Sequence, residues 1–250
     1  MGETAILVRV ERVAGSAPRE AGAQMAVSAA KITGSIGGGA LEDLAIRTAR
    51  AMLDDGRAVE TIDQPLGPDI GQCCGGRVVL TLTRATPAIA AEVAEQELIE
   101  RSARPHVLIF GAGHTGGALA AILATQPINL SIIDQRADWL APLSGLGRTT
   151  ETPLPEAEIA AAPPRSAFVI LTHDHALDFL IAEAALARGD AAYVGMIGSA
   201  TKRATFEAAL RRKGATAGDM VCPIGGDGPR DKRPEVIALA TAAEVIAALL

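Results

Sequence analysis

Apolar and polar positions alternate from Ile6 to Val13 in ILVRVERV, the period-two pattern of a half-buried strand. QMAVS (24–28) and KITGSIG (31–37) read as a second and a third strand. The period then changes. In GGALEDLAIRTARAMLDDG (38–56), Leu41, Leu44, Ala45, Met52 and Leu53 lie near one stripe of a helix that Gly56 stops. AVETIDQPL (58–66) and RVVLTLT (77–83) return to strand. A charged helical connector follows over 85–105 and ends at Pro105. Beyond it, apolar strands alternate with helices: HVLIFGAG from 106, the helix HTGGALAAILATQ from 114, then NLSIIDQR, AFVILTHD and AAYVGMIG. Such alternation implies a parallel sheet. The proline-rich stretch 140–165 reads as an irregular crossover. The expected fold is α/β, with a Rossmann-like parallel sheet in a C-terminal domain (106–250), a smaller α+β N-terminal domain (1–84) and the 85–105 connector between them.

Composition narrows the classes. Aromatic residues make up only 2% of the chain, so the core must be built from Ala, Val, Ile and Leu. A net charge of −6 argues against a nucleic-acid partner. The longest apolar run, Val236 to Leu250, is too short for a membrane span and carries Glu244. The N-terminus has no apolar signal segment. Three cysteines, two of them adjacent, make no disulfide framework, which points to a reducing, cytoplasmic setting.

Several clusters carry candidate chemistry. Gly111, Gly113 and Gly116 fit G-x-G-x-x-G between a strand and a helix, and Asp134 ends the next strand about twenty residues on. That arrangement holds a pyrophosphate at the helix start and a ribose hydroxyl on the acid. NAD(P) is the ligand this motif suggests, although the same turn can serve another phosphate ligand or only permit close packing. His114 would sit at the pyrophosphate, and Arg136 blurs the choice between NAD and NADP. His173, Asp174 and His175 in THDHALD follow a strand end. They are candidate metal ligands or an acid/base pair, with helix capping by Asp174 as the alternative. Gly198 and Ser199 precede a helix carrying Lys202 and Arg203, a candidate phosphate site or a capped helix with a basic face. Gly37, Gly38 and Gly39 could form a nest of amides for an anion, or a tight turn.

The loop GPDIGQCCGG (67–76) sets Cys73 and Cys74 before Gly75 and Gly76. Adjacent cysteines are poor disulfide partners and poor joint ligands for one tetrahedral metal. The pair therefore points to a ligand-facing thiol or sulfur carrier, or to two small residues packed at a turn. Cys222 is the third cysteine and a further candidate if it faces the same cleft.

These segments together resemble the XdhC/CoxI family, accessory factors of molybdenum hydroxylases. The matching stretches are GSAPREAGAQM (15–25), GSIGGGALE (34–42), LGPDIGQCCGGRV (66–78), VLIFGAGHTGGAL (107–119), IDQRADW (133–139), THDHALD (172–178), YVGMIGSATKR (193–203), CPIG (222–225) and DKRPEVIAL (231–239). The resemblance implies a homodimeric chaperone with no catalysis of its own. Such a protein binds the molybdenum cofactor (molybdopterin-bound molybdenum) in the cleft between its domains. It protects the cofactor while a cysteine desulfurase adds the terminal sulfido ligand, and hands it to an apo-hydroxylase such as xanthine dehydrogenase. On that reading Cys73 or Cys74 contacts molybdenum or carries sulfur, and the glycine turns hold the phosphate. The rivals are an NAD(P)-dependent oxidoreductase using His173 or His175, a persulfide-carrying sulfurtransferase, and an NAD-sensing regulatory scaffold.

Overall fold

The computed structural model describes residues 4–67, 75–226, 228–229 and 231–250. The chain forms two compact units, 1–96 and 97–250. The division falls inside the connector helix, which spans Pro87–Ala103.

The first unit is a five-stranded antiparallel sheet. Its strands are β1 (Ala5–Ala14), β2 (Gln24–Ser28), β3 (Ile32–Gly34), β4 (Val59–Pro65) and β5 (Arg77–Arg84), in the order β3-β2-β1-β5-β4. Alternation in β1 and β5 points Ile6, Val8, Val10, Val78, Leu80 and Leu82 to one face. Helix α1 (Gly39–Asp55) covers that face with Leu41, Ala45, Ala49 and Met52, a stripe at helical spacing. Gly56 ends α1 in the left-handed conformation, φ 81°, as its sequence position suggests. A register shift between Val10 and Arg12 marks a bulge in β1 near its end.

Helix α2 (Pro87–Ala103) leads to the second unit. There, β6 (His106–Phe110), β7 (Asn129–Asp134), β8 (Arg148–Glu151), β9 (Ala167–Ile170) and β10 (Tyr193–Met196) form a parallel sheet in the order β10-β9-β6-β7-β8. One face carries α3 (His114–Leu123) and, near the chain end, α8 (Pro234–Leu249). Between them in sequence come α4 (Ala137–Leu140), α5 (Pro155–Ala161), α6 (His175–Ala187) and α7 (Ala200–Arg212). Residues of α5, α6 and α7 bury against the other face, around Phe110, Phe168 and Ile170. A sheet buried on both sides accounts for strands that are apolar at almost every position.

One sequence reading needs correction here. The stretch 140–165 is not irregular throughout: it contains β8 and α5. The terminal apolar run, too short for a membrane span, belongs to α8 up to Leu249, and Ala238, Thr241, Ala242 and Val245 of that helix are buried. No helix among the described residues is long and apolar enough to cross a membrane.

Candidate functional site

In the first unit the strand directions bring three connections to one rim. β1 ends there, β2 begins, β3 ends, and the β4–β5 connection leaves and returns, because Ala14 and Pro65 both pair with Arg77. GSAPREAG, GSIGGG and the base of the cysteine loop therefore share that rim. They touch through glycine. A Cβ on Gly76 would overlap Ser16 O, one on Gly15 would lie 3.2 Å from Gly76 Cα, and one on Gly37 would overlap Pro18 Cβ. Gly15, Gly37 and Gly75 also hold positive φ (73°, 118° and 69°), which side-chain-bearing residues resist.

Cys73 and Cys74 lie outside the described residues. The neck of their loop is described. Buried Leu66 donates its amide to Gly76 O (2.7 Å), and the Gly75 amide donates to Leu66 O (2.8 Å). Next to it Arg77 makes a two-point pair with Asp63, at 2.7 and 2.9 Å. Arg19, beside Gly37, is exposed and has no ion-pair partner among the described residues.

The expected anion nest is real in shape but filled from within. Gly37, Gly38 and Gly39 all have positive φ. The Glu42 carboxylate accepts from the amides of Ile36 and Gly38 (both 3.0 Å) and from Ser35 Oγ (2.6 Å). The Ser35 hydroxyl, helped by the backbone amides, holds the Glu42 carboxyl below its ordinary pKa against the opposing effect of burial. The sequence contained the signal, an acid in the first turn of α1, but not the partner it would choose.

In the second unit the strand order reverses beside β6, so the crevice lies at the carboxyl ends of β6 and β9. Gly111 (φ 118°) passes so close to Leu171 O, and Gly116 to Gly111 O, that neither position has room for a Cβ. Gly113 differs: a Cβ there would meet nothing within 4 Å. First and third glycines thus serve packing, while the second leaves the start of α3 approachable. The open backbone at that turn leaves room for a phosphate, but Asp134, the acid expected to meet a ribose, is not free. The Asp134 carboxylate accepts from Ala112 N (2.7 Å) and from Arg136 through N, Nε and Nη2 (3.0, 2.8 and 2.8 Å). Burial pushes this carboxyl up, yet the bonds from Arg136 and Ala112 outweigh it and hold it below the usual value. His114 is exposed, its ring edge-on to Trp139 with centroids 5.3 Å apart.

His173 is exposed on the loop leading into α6, and His175 is exposed at the helix's first position. Among the described residues no group of three or more potential ligands forms a metal site. Asp174 caps α6, accepting from the amides of Ala176 (2.7 Å) and Leu177 (3.4 Å). The phosphate site expected at 198–203 is committed internally. Ser199 caps α7 by accepting from Lys202 N (3.2 Å). The Lys202 side chain is largely covered, its ammonium paired with buried Asp178 and donating to Ile197 O (2.9 Å). Arg203 pairs with Glu207 at 2.8 Å. Asp178 escaped sequence reasoning because its partner lies 24 residues away. It also accepts from Thr172 N (2.9 Å) and Thr172 Oγ1 (2.7 Å), so it ties the THDHALD loop to the start of α7. Cys222 is 4% exposed and packs in the apolar layer with Met196 and Phe206. Burial raises its thiol pKa, with Lys202 and Arg203 offsetting part of the effect. It is a core residue of the second unit rather than a presented thiol.

Hollow size does not mark the chemistry. At the carboxyl edge, Gly111, Asp134, Gln135, Thr172 and His173 line a space of about 10 Å³, room for one water at most. A hollow of about 910 Å³ lies at the opposite strand ends, bounded by His106, Asn129 and Arg148. The glycine turn, not volume, marks the edge where the sequence motif expects a ligand.

The profile of the XdhC Rossmann domain matches residues 107–245, and that of the XdhC and CoxI family matches residues 1–63. No curated protein matches the sequence. A crystal structure described as a xanthine dehydrogenase from Bacillus halodurans superposes with a TM-score of 0.81 at 15% identity, covering 99% of this chain and 92% of that one. At that identity the likeness concerns the fold. A putative oxidoreductase from Pseudomonas putida KT2440 aligns over 45% of this chain and 38% of its own, at 15% identity and a TM-score of 0.32, too low to carry an argument. The Rossmann profile alone spans more than half the chain, and by it this protein belongs to the XdhC/CoxI family.

Proposed function

We propose that the chain binds the molybdenum cofactor, shields it while a cysteine desulfurase supplies the terminal sulfido ligand, and delivers it to an apo molybdenum hydroxylase of the xanthine dehydrogenase type. The observation that carries the reading is the rim of the first unit. Three glycine-rich connections meet there, and one of them is the neck of the loop that bears Cys73 and Cys74. The cargo is a bulky anion with a phosphate and a sulfur-ligated metal. Bare backbone lets such a ligand approach, the Arg19 guanidinium suits its phosphate, and a thiolate suits molybdenum. Family membership supports the reading, and the name of the Bacillus halodurans structure points to the same enzyme system.

The test uses the purified full chain loaded with molybdenum cofactor and freed of unbound ligand. The retained fraction should activate an apo-hydroxylase. Cys73→Ala or Cys74→Ala should lower both retention and activation. If both variants match the wild type, the thiol has no part in the function. A persulfide carrier would instead gain the mass of one sulfur on Cys73 or Cys74 after incubation with a desulfurase and cysteine.

A further inference from the structure

The ribose end of the crevice in the second unit departs from what an unphosphorylated dinucleotide requires. An acid ending the second strand of a Rossmann unit ordinarily accepts from the ribose diol. Here the Asp134 side chain is 3% exposed and already accepts four hydrogen bonds, one from Ala112 and three from Arg136. A carboxylate offers about four lone-pair sites, so none remains for a hydroxyl.

Arg136 is placed differently. Its side chain is 33% exposed, and its Nη1 group has no acceptor among the described residues. Asp134 fixes one edge of the guanidinium. Trp139 supports one face, with Cζ 4.8 Å from the ring centroid. Trp139 in turn meets His114 in the first turn of α3. It is the chain's only tryptophan, and it is 37% exposed in a protein with an aliphatic core. The cation is thus oriented from two sides, on the crevice edge that also carries the open Gly113 turn.

We propose that this crevice binds a dinucleotide whose adenosine ribose carries a 2′-phosphate, with Arg136 as the phosphate anchor and Asp134 as the residue that positions it. A phosphomonoester brings nearly two negative charges and three acceptor oxygens, which suit free guanidinium donors. A ribose hydroxyl at the same place finds a cation and no acceptor. This site is independent of the cargo rim, and either reading can fail without the other.

NADPH and NADH titrated into the full chain, followed by quenching of Trp139, test the proposal. NADPH should bind more tightly by about 10- to 100-fold, the range set by charge-assisted hydrogen bonds. In competition, 2′,5′-ADP should displace NADPH at concentrations where 5′-ADP does not. Arg136→Gln should bring the NADPH-to-NADH ratio to about one with unchanged circular dichroism. Equal or tighter NADH binding, no binding of either at millimolar concentration, or an unchanged ratio in the variant would each overturn the proposal. If the variant does not fold, the wild-type comparison of the two ADP isomers decides alone.

Discussion

Glu42 fills the nest that its own neighbours build, so its charge belongs to the fold. Glu42→Ala strands two backbone amides and the Ser35 hydroxyl, and should cost about 1–3 kcal/mol. Hydrogen exchange in the full chain should show lost protection at the Ile36 and Gly38 amides. The cost should also depend on pH. A carboxyl whose folded pKa is lowered stabilises above its unfolded value, about 4.3, and loses that contribution as pH falls through the folded value. The difference between wild type and variant should be full at neutral pH, begin to close near pH 4.3, and vanish below the lowered folded pKa. Asp178 makes the stronger case. Its side chain is 1% exposed, against 9% for Lys202. Asp178→Asn leaves a buried ammonium without its counter-charge, a loss of about 3–5 kcal/mol. Replacing both, as Asp178→Asn with Lys202→Met, should recover part of the lost melting temperature. An equal or larger loss in the double variant would mean that the pair itself, not the uncompensated charge, carries the energy.

Elements were legible where a period ran long enough. The alternation of β1 and the stripe of α1 appear in the sequence because each buries one face against the other. β8 and α5 were not legible. They are four and seven residues long, and proline stands close to both. The site was legible in its glycines but not in its charges. Lys202 and Arg203 looked like phosphate ligands because a sequence does not show that Asp178 and Glu207 take them. The three glycines after β6 also looked equivalent, and the packing separates them. Gly116→Ala forces a Cβ onto Gly111 O, backbone that cannot yield, and should disrupt the seat of α3 on β6, with a fall in melting temperature. Gly113→Ala meets nothing and sits at regular φ −65°, so its stability should stay within about 1 kcal/mol of wild type. Any ligand that lies against this turn should bind the Gly113→Ala variant more weakly. A destabilised Gly113→Ala alongside a native-like Gly116→Ala would reverse these assignments.

On the scale of the whole molecule, charge would set how the proposed anionic cargo arrives. The chain carries a net −6. On and beside the rim of the first unit, Arg12, Arg19 and Arg77 are matched by Glu11, Glu20 and Asp63, so the described residues there carry no surplus of cations to offset the net charge. On the proposed function, a polyanionic cargo would approach against repulsion and be held only at contact range, with Arg19, which has no ion-pair partner among the described residues, as its anchor. Salt screens the repulsion, since the Debye length falls from about 30 Å at 0.01 M to about 8 Å at 0.15 M. The association rate of molybdenum cofactor with the full chain should rise over that interval, while the dissociation rate changes little. Arg19→Ala should act on dissociation instead, speeding it about tenfold, the equivalent of about 1.4 kcal/mol for one charge-assisted contact. Stopped-flow mixing at several salt concentrations measures both rates. An association rate that falls with salt would move the landing site to a surface with surplus cations. The hollow bounded by Arg101, Arg104 and Arg148 in the second unit, where Glu158 is the one acid in the lining, is such a surface.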